Sequence, residues 1–270
     1  MTRLLVESPL MSSPNNQDAQ FAKEQLLAGC GMMEQLLRGL LDSKGRVAEE
    51  VHAIRKLGKS LRGGFALFRL RKSSAKEIQA IGRLLSEPRD AVSRLSTWHK
   101  VAWDEDAPAA AAIFGLLNQH THSAARRPPA ETVDWCVARV AAARKNLEEL
   151  SAENLAERLA QGLDRLAKQV AKRCRKLDHR GEEDFHDARK ALKAYLGAHG
   201  LMPDGVAALD PKMTELAELL GDKNDLSTLS VWLEDHGFTE YFVPGLWQKI
   251  TEKRSKLRKQ ALRDAALLLP

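Results

Sequence analysis

Apolar residues return every three or four positions from Asp18 to the end of the chain, and no useful stretch alternates with a period of two. The first spacing gathers side chains on one face of a helix, whereas strict alternation marks a half-buried strand. The pattern predicts helices at about 18–42, 48–71, 75–86, 88–103, 107–122 and 131–150, then at about 152–177, 183–199, 211–221, 223–236 and 240–268. Turn chemistry fills the breaks: Ser43-Lys44-Gly45, Asp104-Glu105-Asp106 before Pro108, Arg126-Arg127-Pro128-Pro129, and Gly200 to Pro211. An all-α fold follows. Residues 1–17, interrupted by Glu7, Pro9 and Pro14, read as a disordered leader, too short and broken for a secretory signal.

Within this pattern one segment occurs twice. Val51-His52-Ala53-Ile54-Arg55-Lys56-Leu57-Gly58-Lys59 is answered 134 positions later by Phe185-His186-Asp187-Ala188-Arg189-Lys190-Ala191-Leu192-Lys193. Farther on, Glu87-Pro88-Arg89-Asp90 is matched 135 positions later by Asp222-Lys223-Asn224-Asp225. Two motifs keeping nearly one offset predict an internal duplication. The expected halves are about 18–150 and 151–270, each a four-helix bundle, packed as one pseudo-symmetric domain.

The repeated helices carry the candidate chemistry. His52, Arg55, Lys56, Lys59 and Arg62 fall within an arc of about 120°, with Ile54, Leu61, Phe65 and Phe68 behind them. His186, Arg189, Lys190 and Lys193 repeat the design, with Ala188, Leu192 and Tyr195 facing away. A charge run on a helix is ordinarily its solvated face. Recurrence of the same His, Arg, Lys order sets these two apart. Arg offers a planar fork to phosphate oxygens, Lys a mobile point charge and protonated His two donors. Cations one turn apart suit an extended polyanion, whose phosphates would also favour charged histidines.

The repeated acids read differently. Glu87 and Asp222 are expected as helix N-caps, and Asp90 and Asp225 as structural groups or orienters of a groove Arg or His. Arg89 is expected to face the groove, although Asn224 takes its place in the second copy. The basic stretches Arg165 to Lys176 and Lys249 to Arg263 read by default as solvated helix surface, with extension of the groove by some of their residues as the alternative. His120, His122, Arg126 and Arg127 read as a surface loop.

Composition narrows the class. With 44% hydrophobic and 29% charged residues the chain is too apolar for wholesale disorder, and its net charge of +6 favours an acidic partner. Cys30, Cys136 and Cys174 are too few and too scattered for a disulfide framework or a CxxC metal pair, which points to a reducing, cytoplasmic compartment. No apolar run approaches the roughly 20 residues of a membrane helix. No P-loop, nucleophile elbow, HExxH or carboxylate cluster is present, so neither metal, cofactor nor catalysis is expected.

The histidine-basic helices beginning Val51-His52 and Phe185-His186, with Pro88-Arg89-Asp90 and Asn224-Asp225-Leu226 downstream, resemble the CHAD family, the conserved histidine α-helical domains. The likeness spans about Asp18 to the end. It implies two four-helix bundles about a pseudo-twofold, a central basic groove or pore, binding of inorganic polyphosphate and, in some members, location on polyphosphate granules. The family's basic set maps onto His52, Arg55, Lys59 and Arg62 with His186, Arg189, Lys190 and Lys193. Ser60, Ala194 and Leu196 stand where the family often has further basic residues, which implies weaker binding or a lopsided groove. Relatives are often fused to a triphosphate-tunnel domain, but no ExExK signature occurs here, so a stand-alone module is expected. Single-stranded nucleic acid is the alternative ligand, and a metal-dependent phosphohydrolase a third reading. Nucleic-acid channels add aromatic platforms, and none interleaves with this stripe.

Overall fold

A computed structural model describes residues 14–43, 45–70, 72–101, 108–177, 179–203, 206 and 209–268. Among these the chain forms ten α-helices and no strand: α1 (Asn16–Gly39), α2 (Val47–Leu67), α3 (Ser74–Leu84), α4 (Glu87–Val101), α5 (Pro108–Ala124), α6 (Ala130–Glu148), α7 (Leu155–Arg175), α8 (Glu182–His199), α9 (Pro211–Asp235) and α10 (Pro244–Leu267). A 3-10 turn, Leu40–Asp42, extends α1. The expected turn at Asp104-Glu105-Asp106 and most of the expected leader lie outside the described residues. What is described of the leader is ordered earlier than expected. Asn15 caps α1, accepting from the Gln17 and Asp18 amides at 2.7 and 3.0 Å, while Asp18 accepts from the Asn15 amide at 2.9 Å.

Helix ends follow their local chemistry. Asp210 accepts from the Lys212 amide ahead of Pro211, which opens α9 where its missing N–H removes nothing. At the other end Gly237 takes φ 82°, and the Phe238 and Gly237 amides close onto the Leu233 and Glu234 carbonyls at 2.9 and 3.0 Å. That left-handed turn satisfies carbonyls the helix leaves open and folds Phe238 back onto the core.

One expectation fails here. The sequence predicts a break at Gly221-Asp222, but α9 runs through without interruption. The first copy does break, between α3 and α4, because the Pro88 ring lacks an N–H and clashes with a preceding turn. Lys223 occupies the matching place in the second copy and leaves the backbone ladder intact. Asp222 is therefore no cap, and instead reaches Lys100 at 2.9 Å. Glu87 is likewise the first residue of α4 and not its cap, since the Ser86 carbonyl accepts from Asp90.

Two apolar clusters hold the helices together. The larger takes buried faces of α1, α2, α3, α6, α7 and α8, the start of α9 and the end of α10. The smaller joins α4 and α5 to the far half of α9 and the near half of α10, around Trp98, Trp232 and Trp247. Both draw on both halves of the chain. Phe65, Phe68 and Tyr195, expected behind the basic stripes, are buried in the larger cluster. Burying such a side chain contributes about 1.5–3 kcal/mol, so the apolar faces fix which way the cations point. The three cysteines are buried and unpaired, and burial pushes the Cys30 thiol up to about 12.

Candidate functional site: a cationic cleft between the repeated helices

The repeated helices α2 and α8 make the most extensive pairing in the fold. They touch backbone to backbone. A Cβ on Gly63 would lie 2.5 Å from the Ala194 carbonyl oxygen and 2.6 Å from the Ala198 nitrogen, and one on Gly197 would lie 2.9 Å from Ser60 Cα. Gly63 and Gly197, like Ser60 and Ala194, are related by the 134-residue offset, so equivalent residues of the two copies meet each other. Two of the departures noted in the sequence, Ser60 and Ala194, stand at this crossing.

The crossing brings the two stripes onto one cleft. A cavity of about 160 Å³ is walled by Arg55, Gly58, Lys59 and Arg62 of α2 and by Gln79, Gly82 and Arg83 of α3. A neighbouring cavity of about 310 Å³ shares Lys59, Arg62 and Gln79 with it, and adds Arg189, Lys190 and Lys193 of α8 with Leu166 and Gln169 of α7. Gln79 and Gln169 were missed in the sequence, where a lone neutral amide makes no pattern. No aromatic ring lines either cavity.

Electrostatics mark the middle of this cleft as strained. Burial, then the charges of Lys193, Arg89, Arg189 and Arg55, pull the Lys59 pKa down from 10.5 to about 8. Lys193 is also lowered, by burial first and then by Arg189. Both effects disfavour the charged amine, and both would be relieved by a bound anion. Deeper in, Arg89 lies between the repeated carboxylates, 3.2 Å from Asp90 and 3.5 Å from Asp225, and Arg55 stands 3.7 Å from Asp90. Arg55 also donates to the Gly82 carbonyl. Asp90 and Asp225 thus orient groove arginines, one of the two roles expected of them. The Nε atoms of Arg55 and Arg189, equivalent in the two copies, are buried without a hydrogen-bond partner among the described residues.

The remaining expected residues sit around the cleft and not in its walls. Arg89 braces it from α4. His52 and Lys56 are exposed beside it on α2; burial and the charges of Arg89, Lys59, Lys56 and Arg55 hold the His52 imidazole below its ordinary pKa. His186 is exposed on α8, its Nδ1 3.2 Å from the Asn224 side-chain oxygen. His120, expected on a surface loop, belongs to α5. It accepts from Trp232 Nε1 at 3.2 Å, and its Nε2 faces Glu87 at 3.2 Å, tying α5 and α9 to the start of α4. At the mouth of α8, Lys223 is 2% exposed and reaches Glu182 at 2.5 Å over the Phe185 ring. Among the described residues no three His, Cys, Asp or Glu side chains converge as a metal site, and no helix is long and apolar enough to cross a membrane.

Comparison with known proteins adds two findings. A profile of the CHAD domain matches residues 31–234. A solved structure, PptA from Streptomyces chartreusis, superposes with a TM-score of 0.63 at 12% identity, covering 94% of this chain and 100% of that one. No curated protein matches the sequence.

Proposed function

The chain belongs to the CHAD domain family, and on that premise we propose that it binds inorganic polyphosphate in the α2–α8 cleft and acts as a binding module, not an enzyme. The observation that carries this reading is the gathering of Lys59, Arg62, Arg189, Lys190 and Lys193, from two equivalent helices, on one concave wall. Those cations repel one another and are partly stripped of water, as the lowered pKa of Lys59 registers. A ligand of high charge density removes both penalties and releases its own counterions.

Absence of aromatic rings from the walls favours a polyanion without bases over single-stranded nucleic acid, since base stacking supplies about 1–3 kcal/mol per base. Asp90 and Asp225 are engaged by arginine, which supports binding over metal-assisted hydrolysis. Association with polyphosphate granules in the cytoplasm follows from the same affinity. Titration with long-chain polyphosphate and with a length-matched oligonucleotide at physiological salt tests the reading. Tighter binding of polyphosphate, with no phosphate released in the presence of divalent metal, is the expected result. Equal affinities would remove the ligand assignment, and phosphate release would restore the enzyme.

A further inference from the structure

The cleft does not stop at α8. A third cavity, of about 560 Å³, shares Ala66, Leu166 and Gln169 with the central one. Its remaining walls are Arg69, Lys72, Arg165, Lys168, Lys172 and Arg173. The three cavities therefore adjoin in sequence along α2 and its exit: Arg55, Lys59, Arg62 and Ala66, spaced by four, three and four residues, share one face of α2, and Arg69 follows just past its end. From Arg55 to Ala66 the helix rises about 17 Å at 1.5 Å per residue. Neutral amides stand at both junctions, Gln79 at the first and Gln169 at the second.

On α7 the contributing residues also keep to one face, since Arg165, Lys168, Gln169, Lys172 and Arg173 follow helical spacing. Other groups constrain the positions of several. Arg165 donates to the Ala66 carbonyl at 2.9 Å and Arg69 to Gln161, while Lys168 meets Asp164 at 2.8 Å and Arg173 meets Asp187 at 2.9 Å. The wall thus holds six cations against those two carboxylates, a surplus that the helix's own salt bridges do not cancel.

We infer that the third cavity is a second stretch of the polyphosphate track, occupied together with the central cleft only by chains long enough to pass Ala66 and Gln169, and that this joint occupation sets a preference for long chains. The inference rests on the polyphosphate reading of the central cleft. Tripolyphosphate fits within the central cleft, whereas a long chain continues onto α7.

The test compares the wild-type protein with Lys168→Gln/Lys172→Gln, and with a charge-matched control, Lys256→Gln/Lys259→Gln, on the exposed face of α10. Each is titrated with tripolyphosphate and with long-chain polyphosphate over a range of salt. For the α7 variant, long-chain affinity is expected to fall roughly tenfold and its log–log salt slope by about one to two units, as for two lost phosphate contacts. Tripolyphosphate affinity and the melting temperature stay at wild-type values, and the control leaves long-chain binding unchanged. An equal loss in the control, an equal loss for tripolyphosphate, or no loss at all would overturn the second stretch while leaving the central cleft standing. A wild-type protein that binds neither phosphate would overturn both.

Discussion

The two copies of the basic helix face each other across one contact, yet they are supported in different ways. In the first copy Pro88 divides the supporting segment into α3 and α4, and Arg89 turns inward between Asp90 and Asp225. In the second, Lys223 keeps α9 whole and spends its charge on Glu182 in a nearly dry site, while Asn224 turns to His186. The small residues at the crossing match from copy to copy, as do Arg55 with Arg189 and Lys59 with Lys193, whereas Arg62 is answered by Leu196 and the outer supports diverge. Shared surfaces constrain both helices at once; private ones constrain only their own.

The sharpest way to break this comparison is to give the second copy the first copy's residue. Lys223→Pro removes an amide from the middle of α9 and strips Glu182 of its buried partner. It is expected to lower stability by about 3 kcal/mol or more, read by urea unfolding. Pro88→Ala in the first copy, at a helix start, should change stability far less, and comparable losses would erase the distinction.

Next in size is loss of the matched arginines. Arg55→Ala with Arg189→Ala is expected to weaken long-chain polyphosphate binding about a hundredfold or more, since a hydrogen bond to a charged group contributes about 1.5–3 kcal/mol. Its salt dependence should flatten as well. Similar effects from the two single variants would confirm that the copies serve the ligand equally; a wide gap would show that one copy dominates.

The crossing itself is less symmetric than its sequence. Gly63→Ala must displace backbone atoms now 2.5 and 2.6 Å from the new Cβ, whereas Gly197→Ala meets its nearest atom at 2.9 Å. Overpacking of this kind costs about 1–3 kcal/mol, offset in part by the better helix propensity of Ala. Thermal unfolding should rank Gly63→Ala below Gly197→Ala, and the reverse order would misplace the tighter contact.

The smallest expected effect is a pH dependence. Lys59 titrates at about 8 in the free protein, and a bound polyanion raises that value. Below pH 8 the amine is already charged and affinity is flat. As pH rises through 8, binding must take up a proton, so affinity falls by up to about tenfold per unit until the bound-state pKa is passed. Without ligand the sign reverses. The folded pKa lies below the ordinary 10.5, so the folding penalty is complete below about pH 8 and fades between there and 10.5. Lys59→Gln should shrink the step in affinity seen by titration at pH 7, 8 and 9, leaving the part contributed by the lowered Lys193.

Much of this was legible in the sequence because the repeat and the helical period report on different things. The period found the helices, and the repeat singled out Arg55, Lys59, Arg189 and Lys193 from the many other cations. Elsewhere the signal fails for physical reasons. Gly221-Asp222 carries the composition of a break, but packing on both sides holds α9 straight through it. Lys168 and Lys172 look identical in sequence whether their helix face meets bulk water or a cavity, because both surroundings tolerate charge. The histidines at 52 and 186 repeat faithfully and yet flank the cleft, since spacing assigns a residue to a side of a helix but not to a depth.

The Gly63–Gly197 contact has a further consequence. Surfaces that meet their own equivalents about a twofold are how identical subunits form a closed pair. A half-length precursor with this face would already have possessed a mate in every other molecule like itself. Two such units fused end to end would keep the pairing at any protein concentration, and each could then change separately, as the contrast between Pro88 and Lys223 illustrates.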